Sequence, residues 1–249
     1  MNDTNRRSYL HTIILFLALF LATCILLLFL CTKTFGIRNT VPYRSAISLE
    51  QFKSKKQKTV VLDAGHGGYD SGTKSESGIL EKDLNLEITT KIAEFLVCYD
   101  VRVVMTRTDD TAPDLIEGHS RKRGEILSRA KIASDERADL FLSVHMNSFP
   151  QSSCRGTQVF YSAKNEQNQV IAATLQSAIS TMLQPDNSRV AKETDLIFLL
   201  SNLDCPAALV ECGFLSNHQD TQLLCDAQYQ SKIAFCIAQA IISTLYPSV

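Results

Sequence analysis

The chain has 249 residues, of which 45% are hydrophobic and 20% are charged, and its formal net charge is −1. This length accommodates one catalytic domain with a sizeable core and a short additional segment. There is neither an excess of basic residues nor an acidic tail, which argues against nucleic acid as a partner.

The N-terminal segment predicts a membrane anchor. After a short tail (1–12) that contains Arg6 and Arg7, residues 13–31 form an uninterrupted, uncharged apolar stretch. A membrane-spanning helix needs about 20 such residues. A cleaved signal peptide usually has a shorter apolar region, about 7–15 residues, followed by a small-x-small cleavage site. Neither feature is clear, so we favour an uncleaved transmembrane signal anchor over a cleaved signal.

A polar, basic segment follows the apolar stretch. Residues 32–58 lack sustained periodicity and end in several lysines, which is typical of a solvated linker. Lys33, Arg38 and Arg44 lie in this linker, so the positive-inside rule does not decide the orientation of the anchor. We expect the catalytic domain to occupy residues 59–249.

From residue 59 onward, apolar runs alternate with stretches of helical spacing, which is typical of an α/β protein. We expect one domain with a central, mostly parallel, twisted sheet flanked by helices. The predicted elements are, in chain order, a strand at 59–64, a helix from about Lys82, a strand at 101–105, a helix at 124–135, a strand at 140–144, an edge strand at 156–161, a helix at 170–183, a strand at 207–210 and a long or broken helix at 220–245.

Three of the predicted strands end at a side chain that can bind a metal or carry a proton. The first strand leads through a glycine-rich turn to His66, the strand at 140–144 leads to His145, and the strand at 207–210 leads to Glu211. Ligands of open α/β sheets bind at the carboxyl ends of the strands. We therefore expect these three side chains to lie close together.

Glu81 completes the candidate site. It lies just ahead of the first predicted helix, where it could instead serve only as a favourable charge at the helix start. Two histidines and one glutamate with an open fourth position form a common catalytic zinc site. His11, His119 and His218 are poorer candidates because they lie before the apolar stretch, in a charged loop and in a predicted turn.

Residues 59–245 resemble the zinc-dependent N-acetylmuramoyl-L-alanine amidases, bacterial cell-wall enzymes that cleave septal peptidoglycan. Six blocks carry the resemblance in order: LDAGHGG (62–68), GILEKDLNL (78–86), MTRTD (105–109), RA (129–130) before ADL (138–140), SVHMN (143–147) and VECGFLSN (210–217). The chain departs from the family at Ala64, where proline is usual.

The resemblance implies that His66, Glu81 and His145 bind Zn²⁺ and that Glu211 is the catalytic carboxylate. It implies hydrolysis of the amide between N-acetylmuramic acid and L-alanine in peptidoglycan, for cell-wall remodelling and cell separation. It also places the catalytic domain at the periplasmic face of the bacterial inner membrane, either anchored there or released if the signal is cleaved.

The connection after the predicted edge strand bears on regulation. Related amidases often carry a long insertion here that folds over the zinc until an activator removes it. In this chain residues 162–167 are too short for a blocking helix with two connections, because loops are typically about 4–6 residues long. We therefore expect an open site and no requirement for an activator protein.

Four polar residues within these blocks have roles that the sequence leaves open. Asn85 and Asn147 could orient ligands or bind substrate, and packing or capping is an equal alternative. For Arg107 and Arg129 we expect ion pairs with structural carboxylates such as Asp109 or Asp139. The sequence does not determine how the cysteines pair.

Three other functions compete with the amidase prediction. Ser71 and Ser128 each start a Ser-x-x-Lys tetrad, the nucleophile signature of penicillin-sensitive acyl-transfer enzymes, although no clear Lys-Thr-Gly partner accompanies them. The chain could also be a membrane-anchored, non-catalytic wall-binding module, which would not need Glu211. A zinc peptidase that cuts another amide with the same site is the third alternative.

Overall fold

A six-stranded sheet forms the centre of the molecule in the computed structural model, which describes residues 56–247. Residues from Lys56 onward form one structural unit. No helix within the described residues has both the length and the apolar character that crossing a membrane requires. The predicted tail, anchor and most of the linker lie outside the described residues.

Six strands and six helices alternate along this part of the chain, in the α/β order that the sequence predicts. They are β1 (Thr59–Ala64), α1 (Glu81–Val97), β2 (Arg102–Met105), α2 (Arg121–Asp135), β3 (Leu140–Asn147), β4 (Gln158–Tyr161), α3 (Glu166–Met182), β5 (Lys192–Glu193), α4 (Phe198–Ser201), β6 (Ala207–Phe214), α5 (His218–Leu224) and α6 (Ala227–Leu245).

The strand order is β2-β1-β3-β6-β4-β5, and the four strands from β2 to β6 are parallel. β4 runs antiparallel to its neighbour β6, because it follows β3 without a crossover helix, and β5 runs parallel to β4. The prediction that β4 is the edge strand is wrong. The two-residue strand β5 pairs with its outer side and forms the edge.

Helices cover both faces of the sheet, as burial of a parallel sheet requires. Because side chains alternate between the faces of a strand, Val60 and Leu62 pack into the core beneath α1, α3 and α6, whereas Val61 packs into the core beside α2 and α4. Phe141 is fully buried in this second core. Burial of a side chain of this size stabilises the fold by about 1.5–3 kcal/mol.

Helix caps explain where the observed boundaries differ from the predicted ones. The side chain of Asn165 accepts a hydrogen bond from the Gln167 amide, so α3 starts several residues before the predicted 170. The side chain of Asp226 caps the amide of Tyr229 at the start of α6, so the long or broken helix predicted at 220–245 is broken into α5 and α6. In both cases the capping side chain sets the first residue of the helix, and the spacing of the apolar residues does not reveal that position.

Candidate metal centre and active-site cleft

Two histidines and one glutamate meet at the carboxyl ends of β1 and β3. His66 follows β1, Glu81 is the first residue of α1, and His145 lies near the end of β3. Glu81 Oε1 lies 3.1 Å from His66 Nε2 and 2.9 Å from His145 Nδ1. One ligand atom from each side chain lies within 4.8 Å of the others. The structure therefore brings the three predicted ligands together.

The glutamate at this centre is held as a carboxylate. Burial alone would raise the pKa of Glu81, but hydrogen bonds and charge attraction from His145 and His66 hold it well below its usual range. Oε1 also accepts a hydrogen bond from the Met146 amide (3.1 Å), and Oε2 accepts one from the Thr73 amide (2.8 Å). Several of these contacts join Glu81 to residues of β3. Glu81 is therefore not merely a favourable charge at the start of α1.

A second carboxylate orients His66. Asp70 Oδ2 lies 2.9 Å from His66 Nδ1, and Asp70 Oδ1 accepts a hydrogen bond from the Gly72 amide at 3.1 Å. Burial would lower the pKa of His66, but the hydrogen bonds and charges of Glu81 and Asp70 raise it. A proton held on Nδ1 by Asp70 leaves Nε2 as the ligand atom, which is how carboxylates commonly orient metal-binding histidines.

Two glycines make room for the ligands. A Cβ atom on Gly65 would overlap the imidazole of His145, and one on Gly72 would overlap the carboxylate of Glu81. Gly72 also has a φ angle of 65°, which glycine adopts without strain. The backbone can therefore approach both ligands closely only because these positions lack side chains.

The donor set fits zinc. Imidazole nitrogen and carboxylate oxygen are common zinc ligands, and three protein ligands with one open position are typical of catalytic zinc sites. The convergence of His66, Glu81 and His145, with glycines in the places where side chains would fill the space, is the observation that supports this fit.

Glu211 lies beside the three ligands on the neighbouring strand. It is the register partner of His145 across β3 and β6. Its Oε2 atom is buried and has no hydrogen-bond partner within the described part of the chain. Burial, reinforced by the charge of Glu81, raises the pKa of Glu211 to about 7 although His145 and His66 act in the opposite direction. Glu211 can therefore both accept and release a proton near neutral pH.

This raised pKa predicts a pH-dependent stability of the zinc-free protein. Between pH 4.5 and about 7 the unfolded chain releases a proton that folded Glu211 keeps, so stability falls as the pH rises through this window. The total loss is about 3 kcal/mol. In Glu211→Gln this loss should be absent, so urea unfolding from pH 5 to 8 should show a flatter profile than the wild type.

In that experiment the wild type and variant share every other titrating group, so the difference between their profiles isolates Glu211. Parallel profiles would contradict the raised pKa. A variant that loses stability more steeply than the wild type as the pH rises would do so as well.

A buried ion pair supports the turn that carries His66. Asp63 is fully buried and pairs with Arg129 from α2. The hydroxyl groups of Thr106 and Ser143 also donate to Asp63, at 2.7 and 2.6 Å. Burial would raise the pKa of Asp63, but Arg129 and these hydroxyl groups hold it below its usual range. Arg129 also donates to the His66 carbonyl at 2.7 Å.

The expectation that Arg129 holds a structural carboxylate is confirmed, but the partners named for the two arginines, Asp109 and Asp139, are wrong. Arg129 pairs with Asp63, and Asp139 pairs instead with Lys58, at 2.7 Å. Arg107 contacts the backbone carbonyl of Asp109, not its carboxylate. An isolated sequence does not show which buried carboxylate faces an arginine from another element.

Arg107 connects the glycine turn to α1. Its guanidinium donates to the carbonyls of Ala64 (2.8 Å), Gly65 (3.0 Å) and Lys82 (2.8 Å). The carbonyl of Ala64 also accepts a hydrogen bond from Arg129 at 3.0 Å. The end of β1 is thus fixed by two arginines that share the Ala64 carbonyl.

Arg129→Met should destabilise the domain by about 3–5 kcal/mol, because it leaves the Asp63 carboxylate buried without its partner. Lys131→Met on the same helix is the matched control. Lys131 forms an exposed pair with Asp135, and loss of such a pair costs about 0.5 kcal/mol or less. Urea unfolding at pH 7 measures both, and similar losses in the two variants would contradict the structural role of Arg129.

A cleft of about 250 Å³ opens beside the metal centre. Strand ends and the glycine turn form its floor, and α2 and α4 form its sides. The residues that line it are Asp63, Gly65, His66, Asp70, Lys122, Glu125, Ile126, Arg129, His145, Ile197, Phe198, Leu199, Leu209 and Glu211. The predicted ligands His66 and His145 thus share one cleft with the predicted catalytic carboxylate.

The two asparagines have different roles. Asn85 is fully buried, and its amide group donates to the Gly65 carbonyl at 3.0 Å and lies 3.4 Å from Glu81 Oε1. It therefore orients a predicted ligand. The Asn147 side chain accepts a hydrogen bond from the amide of Ser148, a contact with the next residue of the chain.

The Ser-x-x-Lys tetrads are not assembled as nucleophile and base. Ser71 donates to the Gly72 carbonyl at 3.2 Å, and Lys131 pairs with Asp135. Within residues 56–247, no hydrogen bond links Ser71 to Lys74 or Ser128 to Lys131.

The six cysteines of the described region are free thiols. Cys212 and Cys236 are buried and behave as small core residues, and the others are partly or fully exposed. Burial raises the pKa of the Cys205 thiol to about 11, which makes it a poor nucleophile.

Sequence reasoning missed Asp70, which supports the centre, and Ile197 and Phe198, which line the cleft. The sequence offers one indication of the role of Asp70, because this carboxylate lies only four residues after His66 in the glycine-rich turn. It offers none for Ile197 and Phe198, because the short helix α4 follows a loop without periodicity.

Comparison with known proteins agrees with this geometry. The profile of the N-acetylmuramoyl-L-alanine amidase family matches residues 60–243. The chain belongs to this family. Its members with solved structures share the fold described above, and the chain is accordingly an amidase that acts on peptidoglycan.

Among curated amidases, the germination-specific N-acetylmuramoyl-L-alanine amidase of Bacillus subtilis is 37% identical over 188 residues, which cover 74% of this chain and 78% of that protein. Amidase AmiA of Escherichia coli is 27% identical over 234 residues and covers 77% of each chain.

A solved structure of the CwlD amidase from Clostridioides difficile, in complex with the GerS lipoprotein, superimposes with a TM-score of 0.73 at 35% identity. It covers 77% of this chain and 100% of that chain.

Proposed function

We propose that this amidase is zinc-dependent and that it hydrolyses the amide between N-acetylmuramic acid and L-alanine through His66, Glu81, His145 and Glu211. One observation carries the proposal. Three side chains suited to zinc converge beside a buried carboxylate oxygen that has no hydrogen-bond partner in the described region. A buried polar atom without a partner is costly, so its retention beside a metal centre suggests a catalytic role.

His66, Glu81 and His145 would hold the metal, through Nε2, a carboxylate oxygen and Nδ1. When bound, zinc supplies a Lewis acid that polarises the amide carbonyl and lowers the pKa of water to about 7. Asp70 fixes the His66 ring, and the Thr73 and Met146 amides fix the Glu81 carboxylate.

Glu211 would move the proton. Its Oε2 would accept a proton from the attacking water and then donate it to the nitrogen of the departing L-alanine. In the metal-free protein the pKa of Glu211 is raised to about 7, toward the working pH at which general acid–base catalysis is most efficient. The apolar side chains of Ile197 and Leu199 would exclude bulk water from one side of the cleft.

Product analysis tests the proposed reaction. Purified peptidoglycan is incubated with the zinc-loaded protein, and the soluble products are analysed by mass spectrometry. An amidase releases stem peptides that begin with L-alanine and leaves the glycan strands intact. Fragments cut within the stem peptide would indicate a zinc peptidase instead, and bound but uncut peptidoglycan would indicate a binding module. Acylation by a labelled β-lactam would support the Ser-x-x-Lys alternative.

We also propose that the domain is active without an activator protein. The connection between β4 and α3 comprises only residues 162–165, which is too short to contain a helix that covers the metal centre. The solved CwlD amidase forms a complex with a lipoprotein, so a partner is the competing proposal for this chain.

The same product assay should therefore detect stem peptides with the purified residues 56–249 and zinc alone. Cleavage within a factor of a few of that by the full chain is the expected result. A zinc-loaded, folded domain that remains inactive until a partner is added would contradict the open-site proposal.

For the cellular role, we propose that residues 13–31 anchor the enzyme in the bacterial inner membrane with the domain on the periplasmic side, where it would act in wall remodelling and cell separation. The support is the apolar sequence of this segment and the peptidoglycan substrate of the family. Membrane fractionation of a tagged full-length chain, with a 1–31 deletion as control, tests the anchor.

A further inference from the structure

The two sides of the active-site cleft differ in chemical character. Ile197, Phe198 and Leu199 form an apolar side, and the first turn of α2 supplies Lys122 on the other side. This turn contains three consecutive basic residues and no acidic residue. A substrate in the cleft therefore lies between an apolar side and a side that carries Lys122 together with Glu125, whose carboxylate is engaged by Arg121 and Tyr69.

The neighbours of Lys122 already have partners. The guanidinium of Arg121 lies 3.6 Å from the centre of the Tyr69 ring and 3.5 Å from Glu125 Oε1. The guanidinium of Arg123 lies 4.7 Å from the centre of the Phe198 ring. Both cations are thus engaged by side chains of the protein, and neither of them lines the cleft.

Lys122 is different. It is exposed at the cleft, and its ammonium group has no hydrogen bond or ion pair within residues 56–247. Asp70 is close enough to interact electrostatically with Lys122, but its two carboxylate oxygens are engaged by His66 and by the Gly72 amide. Lys122 is therefore a cation at the reaction site that remains available for an anion.

The substrate offers such an anion. In peptidoglycan the L-alanine of the scissile amide is followed by a D-glutamate that is linked through its side-chain carboxyl group. Its α-carboxyl group is either free or amidated. Since an extended chain advances about 3.3 Å per residue, this group lies within about 10 Å of the scissile bond.

We propose that Lys122 is a specificity-determining residue that binds the free α-carboxylate of the second stem-peptide residue. The inference rests on the amidase function proposed above. A carboxylate accepts a charge-assisted hydrogen bond from an ammonium group, whereas a carboxamide offers only a weaker, neutral acceptor. The enzyme therefore prefers the acidic to the amidated form of its substrate.

Two synthetic substrates test this preference, N-acetylmuramoyl-L-alanyl-D-glutamate and the corresponding D-isoglutamine compound, both with the γ-carboxyl group blocked as an N-methylamide because peptidoglycan has no free carboxylate there. For the wild type we expect kcat/KM to be roughly tenfold higher for the acid. In Lys122→Ala this ratio should fall to about one, through a higher KM for the acid with kcat unchanged, because the contact is remote from the reacting bond.

Two further variants separate charge from structure. Lys122→Arg should retain the preference for the acid. Lys131→Ala also removes a lysine from α2, but this lysine forms an exposed ion pair with Asp135. The variant should therefore behave as the wild type. The preference should also weaken with added salt, because Lys122 is exposed.

A wild type that cleaves both substrates equally, or a Lys122→Ala variant that keeps the preference, would overturn the inference and leave the amidase function intact. A wild type that cleaves neither dipeptide substrate nor peptidoglycan would overturn the proposed function, and the inference with it.

Discussion

Glu211→Gln is expected to lower kcat by about 10²–10⁴ while the protein stays folded and keeps its zinc. Glutamine has nearly the same shape as glutamate, but it cannot accept the proton that the mechanism assigns to Oε2. The metal ligands proposed here are His66, Glu81 and His145, so none of them is altered. Peptide release, zinc content and circular dichroism measure the three parts of this expectation.

Glu136→Gln is a control for the same chemical change. Glu136 forms a surface ion pair with Arg102, outside the cleft. Its kcat should match that of the wild type within a factor of two. Wild-type turnover in Glu211→Gln would show that the carboxylate is structural and that another group moves the proton.

His145→Ala is expected to abolish both zinc binding and activity. It removes one of three proposed ligands, and it leaves the buried Glu81 carboxylate without its 2.9 Å contact to the imidazole. Metal analysis of protein dialysed against equimolar zinc should find about one ion per wild-type chain and far less in the variant.

His119→Ala provides the matched control, because His119 lies on an exposed loop outside the cleft. Its zinc content and peptide release should equal those of the wild type. Full zinc occupancy in His145→Ala would contradict its assignment as a ligand.

The convergence of the candidate site followed from the sequence, because the rule for parallel strands is general. Strands that run in the same direction present their carboxyl ends at one edge of the sheet, so His66, His145 and Glu211 were expected at that edge once the strands were recognised. The strand order β1-β3-β6 then makes them neighbours. Glu81 was harder to place, because a carboxylate at a helix start has an ordinary explanation.

The supporting contacts could not be predicted because they join distant elements. Asp63 is 66 positions from Arg129, and no local pattern marks either as a partner of the other. The same limit applies to the fold. Strand β5 has two exposed residues, Lys192 and Glu193, and its pairing depends on the position of β4 and not on its own composition.

The direction of β1 has a consequence for the distance at which the enzyme could work. The chain enters the domain at Thr59 and reaches the metal centre at the opposite edge of the sheet, after six residues that span about 20 Å. If residues 13–31 anchor the chain as proposed, the linker 32–58 has 27 residues and extends to at most about 90 Å. The sum sets a limit of about 110 Å between the membrane surface and the bond that is cut. The length of the linker would therefore determine which depth of the wall is within reach, and wall material beyond that distance would be spared even by a fully active site.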